Sequence, residues 1–144
     1  GGLRPPASIA LGMSLGTDAG VYCIDGDGGF LMHLGSIPML PLRGRDNLRY
    51  VMINNGAHES VGGQPTLAFE IDVAGVLTAA GFQQVEVVRQ ASELQSAVAR
   101  LAEHARSALV IEVAQGSRPD LGRPTIAPVA NKTDMMGEFE AGRR

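Results

Sequence analysis

Two glycine-flanked turns carry side chains of the kind that hold a hard cation: Gly26-Asp27-Gly28 and Asn54-Asn55-Gly56. Asp27 offers a carboxylate and Asn55 an amide oxygen, and both suit Mg²⁺ or Ca²⁺. Gly28 and Gly29 let backbone N–H groups approach phosphate oxygens at a helix start. Mg²⁺ takes near-octahedral oxygen ligation and usually keeps phosphate and water in its shell. Asp27, Asn55 and one loop carbonyl would leave places for diphosphate oxygens and water. Either turn alone is a common piece of chain. Together, at strand ends one crossover apart, they point to a metal–diphosphate site.

The elements that must position these turns follow from periodicity and punctuation. A turn and a short helix occupy residues 1–16, with Pro5 and Pro6 at the helix entry, where a missing N–H costs little. Val21 to Ile24 forms a short apolar strand that ends at Asp25-Gly26. Phe30 to Leu34 is helical, and Pro38 and Pro41 kink or end that helix. Leu48 to Ile53 is a second strand, and Gly56 to Thr66, lacking periodicity, is a loop. Asp72 to Ala80 is a helix with Asp72 as N-cap and Gly81 as its stop. Phe82 to Val88 is a third strand. Ser92 and Gln95 have capping-box spacing, and Leu94, Val98, Leu101 and Ala105 recur at helical period over Ala91 to Arg106. Ala108 to Val113 is a fourth strand, and residues 116–144, rich in Gly, Pro and charge, form an extended tail. Apolar strands alternating with helices imply an α/β fold, a parallel sheet with helices on both faces. Ligands in such folds sit outside the carboxyl ends of strands, where both turns fall.

Composition narrows the partners. The 144 residues favour one domain, and a formal charge of −3 leaves no basic footprint for nucleic acid. No apolar run reaches the length of a membrane span. Arg4-Pro5-Pro6 interrupts any secretory leader, and the absence of an initiator Met is what a piece of a longer protein would show. The lone Cys23 excludes an internal disulfide and fits a reducing, cytoplasmic setting; within a strand it is expected buried and inert. Met32, Met39 and Met52 are expected as core filler, His33 as a packed, hydrogen-bonded residue, and His104 as solvated.

The two turns resemble the thiamine-diphosphate-binding motif of thiamine-diphosphate-dependent decarboxylases and synthases. Gly1-Gly2-Leu3, ahead of an Ala/Gly-rich helix, is similar to a second motif of that superfamily. The finer likeness is to the phosphonopyruvate decarboxylases. It lies in Asp25-Gly26-Asp27-Gly28 with Leu31-Met32-His33-Leu34-Gly35-Ser36, and in Asn54-Asn55-Gly56-Ala57-His58-Glu59-Ser60-Val61-Gly62-Gly63-Gln64-Pro65-Thr66. Leu121-Gly122-Arg123-Pro124-Thr125 and Asn131-Lys132 extend it into the tail. The sulfopyruvate decarboxylases carry a similar Gly-Gly-Gln-Pro-Thr loop.

The resemblance implies a three-layer thiamine-diphosphate-binding fold and roles by position. Asp27, the Asn55 side chain and the Ala57 carbonyl would ligate Mg²⁺. Gly26, Gly28 and Gly29 would cradle the diphosphate. The Gly2 carbonyl would accept from the pyrimidine amino group, and Leu3 would brace the bent cofactor. Thiamine diphosphate would supply the electron sink for decarboxylating a small 2-oxo acid; for phosphonopyruvate the products would be phosphonoacetaldehyde and CO₂. His58 and Glu59 are the catalytic candidates, His58 suited to a phosphonate and either able to shuttle a proton; their alternative is exposed loop. Arg4, Arg123 and Lys132 could face a dianion or simply be surface charge. The glutamate that activates the pyrimidine in this superfamily belongs to a different, pyrimidine-binding domain, and no glutamate here sits in a comparable segment. The resemblance therefore implies a partner domain or subunit, an oligomer, and no turnover by this chain alone. Arg4-Pro5-Pro6 and Ile37-Pro38 depart from the family pattern. With the missing glutamate, they keep open a non-catalytic scaffold of the same fold.

Overall fold

A computed structural model describes residues 6–116, 120–122 and 124–141. In chain order the elements are α1 (Pro6–Gly16), β1 (Val21–Gly26), α2 (Asp27–Met32), α3 (Met39–Arg43), β2 (Leu48–Asn54), β3 (Ala57–His58), β4 (Gln64–Pro65), α4 (Val73–Ala80), β5 (Gln84–Val88), α5 (Ala91–Glu103), β6 (Ser107–Glu112) and α6 (Pro128–Ala141).

The apolar runs pair into a parallel four-stranded sheet in the order β1-β2-β6-β5. In β1, Val21 and Cys23 point into the core while Tyr22 and Ile24 face outward. One face of the sheet packs Cys23, Tyr50, Met52, Ala108 and Val110 against Ala10 and Leu11 of α1, Phe30 of α2, Leu40 of α3 and Leu77 of α4. The other face packs Val51, Val88 and Leu109 against Ala97 and Leu101 of α5. Helices thus cover both faces of the sheet, as the alternation of strand and helix requires. Phe82, expected to open the third strand, instead fills the core beside Tyr50, with ring centroids 5.8 Å apart; pairing begins at Gln84.

Local chemistry sets the boundaries. Asp72 caps α4 by accepting from the Gly75 N–H at 2.9 Å, and Gly81 ends it at φ 112°. The segment after β1 divides into α2, a short 3-10 turn and α3; α2 ends at Met32, ahead of both prolines, Pro38 is the N-cap of α3, and Pro41 sits within its first turn rather than breaking a helix. The expected Ser92–Gln95 capping box is not used. Gln90 is the N-cap of α5, without a side-chain bond, so the helix is already under way at Ser92. It ends at Glu103 rather than Arg106, because His104 already takes extended backbone (φ −108°, ψ 132°); Arg106 beyond it is left-handed (φ 51°) and its carbonyl accepts from Gln83 at 2.9 Å. The Ser107 hydroxyl reaches back to the carbonyls of Leu101 and His104 at 2.9 and 2.8 Å.

The expected extended tail carries a helix instead. Gly and Pro density marks only the approach to α6; Pro128 stands at its first position, where a fixed φ favours initiation. Phe139 packs beside Gly16, while the rest of α6 is exposed wherever its side chains are described. Met52 is buried, but Met32 and Met39 are exposed at 55% and 47%, so two of three methionines expected in the core lie at the surface. Met32 ends α2 and Met39 begins α3, two short helices on which only one side can face the core. Cys23 is buried, and that burial, reinforced by Asp25, pushes its thiol up to about 12, so it stays protonated and inert at neutral pH. His104 is exposed, as expected. Among the described residues no helix is long and apolar enough to cross a membrane.

Leu77 is fully buried at the centre of the larger core. Leu77→Ala should cost about 2–5 kcal/mol of unfolding free energy in urea titrations; a loss within error of zero would contradict this packing.

Candidate metal and diphosphate site

The register of the first two strands builds the site. Gly26 pairs with Ile53, so β1 and β2 end nearly level, and their next residues begin the two turns together. A cavity of about 280 Å³ opens there. Its lining includes Gly26, Asp27, Gly28, Gly29, Asn55, Ala57, His58 and Glu59, with Asp25, Ile53 and Ser60 beside them. Eight of the ten residues singled out from the sequence therefore meet at one place. The other two, Gly2 and Leu3, lie outside the described residues, as do Arg4 and Arg123; Lys132 is exposed on α6.

Asp27 opens α2 and is only 2% exposed. Its Oδ2 accepts from the Thr66 hydroxyl. Asn55 is held at both ends of its amide: Oδ1 accepts from the Ala57 N–H at 3.1 Å, and Nδ2 donates to Glu59 Oε2 at 2.7 Å. The other Glu59 oxygen accepts from the Gly116 N–H at 2.6 Å. Glu59 thus ties the Asn55 turn to the chain beyond β6.

The stretch expected as plain loop is a small antiparallel hairpin. Ala57 pairs with Pro65 and His58 with Gln64, around a 3-10 turn at Glu59–Val61. Its entry turn is built by Asn54, which is buried: Oδ1 accepts from the Gly56 N–H at 3.1 Å and Nδ2 donates to the Ala68 carbonyl at 3.4 Å. Gly56 has φ 68°, and a Cβ there would stand 2.6 Å from the Phe69 ring, so the turn requires glycine.

Gly28 and Gly29 are glycines for a local reason too. A Cβ on Gly28 would run into the His58 imidazole, and one on Gly29 into the Asp25 carboxylate. The Nδ1 of His58 is buried without a hydrogen-bond partner. Asp25 is itself buried, accepting from the Tyr50 hydroxyl at 3.2 Å and the Gly26 N–H at 2.9 Å. Burial pushes its carboxyl above the ordinary value; the bonds from Tyr50 and Gly26 and the charge of His33 pull it down, and Asp27 adds to the rise. Burial, with Asp25 alongside, likewise pushes the Tyr50 phenol up.

Among the described residues no three His, Cys, Asp or Glu side chains cluster as a metal centre. The available donors are mixed oxygens: a carboxylate, an amide and backbone carbonyls, a set suited to a hard cation. Asn54 and Thr66 lie at the two ends of the loop motif, but the sequence assigned neither of them, nor Tyr50, a role of its own. Thr66 lies 39 residues from the carboxylate it meets, a separation without periodic signal. Asn54 had one legible cue, a polar residue closing an apolar strand beside a glycine turn.

Residues 2–113 match the family described as thiamine pyrophosphate enzyme, C-terminal TPP binding domain. Phosphonopyruvate decarboxylase of Streptomyces viridochromogenes is 34% identical over 129 residues, covering 89% of this chain and 32% of that protein. The enzyme of the same name from Streptomyces hygroscopicus is also 34% identical over 129 residues. Sulfopyruvate decarboxylase subunit beta of Methanothermobacter thermautotrophicus is 34% identical over 94 residues, covering 65% of this chain and 49% of that subunit. The chain thus spans about a third to a half of the length of these relatives.

Tyr50→Phe should destabilise the metal-free protein by about 1–3 kcal/mol at neutral pH, by stripping a donor from a buried carboxylate. The sign follows from linkage. The raised pKa of Asp25 means that its ionised form is the one folding disfavours, and losing Tyr50 raises the pKa further. The deficit is therefore full above the variant's folded pKa and narrows as pH falls through the wild-type folded pKa, which itself lies above the ordinary 3.8. Urea titrations across that range check it; a deficit that grew on acidification would contradict the assignment.

Proposed function

The chain belongs to the thiamine pyrophosphate enzymes, as their C-terminal TPP-binding domain, and on that premise we propose that it holds the diphosphate of thiamine diphosphate through Mg²⁺. The observation that carries this reading is the charge of the cavity. Its lining includes Asp25, Asp27 and Glu59, with His58 the one basic side chain among the described lining residues. Asp25 and Asp27 are buried, and a diphosphate brought beside them without a cation would meet negative charge that water screens poorly. A divalent ion on Asp27, the Asn55 amide oxygen and the Ala57 carbonyl reverses that sign locally. Backbone N–H groups at Gly28 and Gly29, at the start of α2, would then be offered to phosphate oxygens, while Gly26, whose own N–H is held by Asp25, would leave room for the diphosphate at the turn. Gly2 and Leu3 would meet the pyrimidine and the bend of the cofactor.

When bound, thiamine diphosphate supplies the electron sink that lets a 2-oxo acid lose CO₂. The protein's own contribution is placement. His58, with Nδ1 unpartnered at the cavity wall, is the side chain to meet a substrate anion or move a proton. Glu59, bonded to Asn55 and Gly116, holds the turn and presents a carboxylate beside the same cavity. The proposed reaction is phosphonopyruvate to phosphonoacetaldehyde and CO₂, supported by likeness over 89% of this chain to an enzyme of that name. The second reading, sulfopyruvate decarboxylation by a small subunit, draws on the relatives named subunit beta. A non-catalytic scaffold fits less well, because a scaffold has no need of an intact Asp27–Asn55 pair. In either enzyme reading the activating glutamate comes from a pyrimidine-binding domain or subunit, within an oligomer in the cytoplasm.

Calorimetry on the full protein or complex that carries this chain tests the cofactor assignment. Thiamine diphosphate should bind only with Mg²⁺ present, and Asp27→Ala should weaken it at least about a hundredfold while leaving the unfolding transition cooperative. Decarboxylation assays with phosphonopyruvate and sulfopyruvate should favour the former. Binding indifferent to Mg²⁺, or wild-type affinity in the alanine variant, would contradict the metal role; no binding at all would favour the scaffold.

A further inference from the structure

One hydroxyl to which the sequence assigned no role reaches the candidate metal ligand. Thr66 follows β4 and is 9% exposed, and its hydroxyl bonds Asp27 Oδ2. The same oxygen faces the Ala68 N–H at 3.4 Å, which can only donate. The hydroxyl proton is therefore directed to the carboxylate, and the bond to Asp27 is charge-assisted. The Thr66 N–H in turn donates to the Gly56 carbonyl at 2.9 Å, and the Gly56 N–H is fixed by Asn54. Gly56 directly follows Asn55. A single connected chain of hydrogen bonds thus runs from the turn that bears the amide ligand, through Thr66, to the carboxylate ligand on the neighbouring strand end.

We propose that Thr66 is a positioning residue for the cation: it fixes the plane of the Asp27 carboxylate relative to Asn55, so that the two oxygens converge on one ion. The inference rests on the Mg²⁺–diphosphate role proposed above. The bond occupies Oδ2 and leaves Oδ1 outside it, so the hydroxyl orients the carboxylate without using up its ligating capacity. A carboxylate freed from this donor swings about its terminal torsion, which is broad and soft. It must then be reordered each time the ion binds. Partners of this outer kind typically set metal affinity within about ten- to a hundredfold.

The test is a Mg²⁺ titration of thiamine diphosphate binding, by calorimetry, in the full protein or complex that carries this chain. Thr66→Val keeps the shape and removes the hydroxyl; Thr66→Ser keeps the hydroxyl. Thr66→Val should raise the half-saturating Mg²⁺ concentration about tenfold or more, and Thr66→Ser should stay within about twofold of wild type. Thr66→Ala, which retains the backbone bond to Gly56, serves if the valine variant fails to fold. A merely structural role would lower the unfolding temperature of the metal-free protein and leave the Mg²⁺ dependence of the folded fraction unmoved. A valine or alanine variant with wild-type Mg²⁺ dependence, beside an Asp27→Ala variant that loses it, would overturn this proposal alone. Wild-type binding indifferent to Mg²⁺ would overturn the metal reading and this proposal with it.

Discussion

The register between β1 and β2 is the constraint on which the site depends. Parallel pairing of Val21 with Leu48 through Gly26 with Ile53 brings two strand ends level, and whatever follows each strand must share the space beyond them. A slip of one residue would turn every side chain of β1 to the opposite face. Cys23 would leave the core, and Asp25 would lose Tyr50. The packing of Tyr50, Met52 and Phe30 therefore fixes not only the sheet but also the relative position of Asp27 and Asn55. Core and site are one problem at this end of the molecule.

Electrostatics explains why this end is built so densely. Asp25 and Asp27 are both buried, separated in sequence by one glycine. Asp25 leans on Tyr50 and a backbone N–H, with the charge of His33 nearby, and Asp27 on Thr66. Buried carboxylates held by neutral donors are tolerated at some cost to stability. A divalent cation on Asp27 would change that balance by adding positive charge beside both carboxylates. The arrangement has the form of a site that trades stability of the empty protein for affinity when loaded.

Much of this was legible because the chemistry is local. Gly-Asp-Gly and Asn-Asn-Gly announce themselves within a few residues, and apolar runs bounded by Asp, Asn and Gly placed all four sheet strands. Asp72 and Gly81 gave both ends of α4 correctly, since caps act within one turn. The failures share a different cause. The Ser92–Gln95 spacing looked like a start signal, but a helix already begun at Ala91 has no use for it. Helix α6 hid behind the glycines and prolines that precede it. Thr66 and Asn54 act across the fold, through a hairpin too short and too rich in glycine to carry a period of two. Tyr50 read as one more strand aromatic, and only its distance to Asp25 reveals its polar task.

The central claim is that one cation joins Asp27 to Asn55 and to an anionic cofactor tail. It is tested most directly by a crystal structure of the assembled protein with thiamine diphosphate, with Mn²⁺ in place of Mg²⁺ and the metal located by its anomalous signal. The account predicts a single metal peak within ligating distance of an Asp27 carboxylate oxygen, the Asn55 amide oxygen and the diphosphate. A peak bound to the diphosphate but touching neither side chain, or ordered diphosphate in this cavity with no metal beside it, would contradict it.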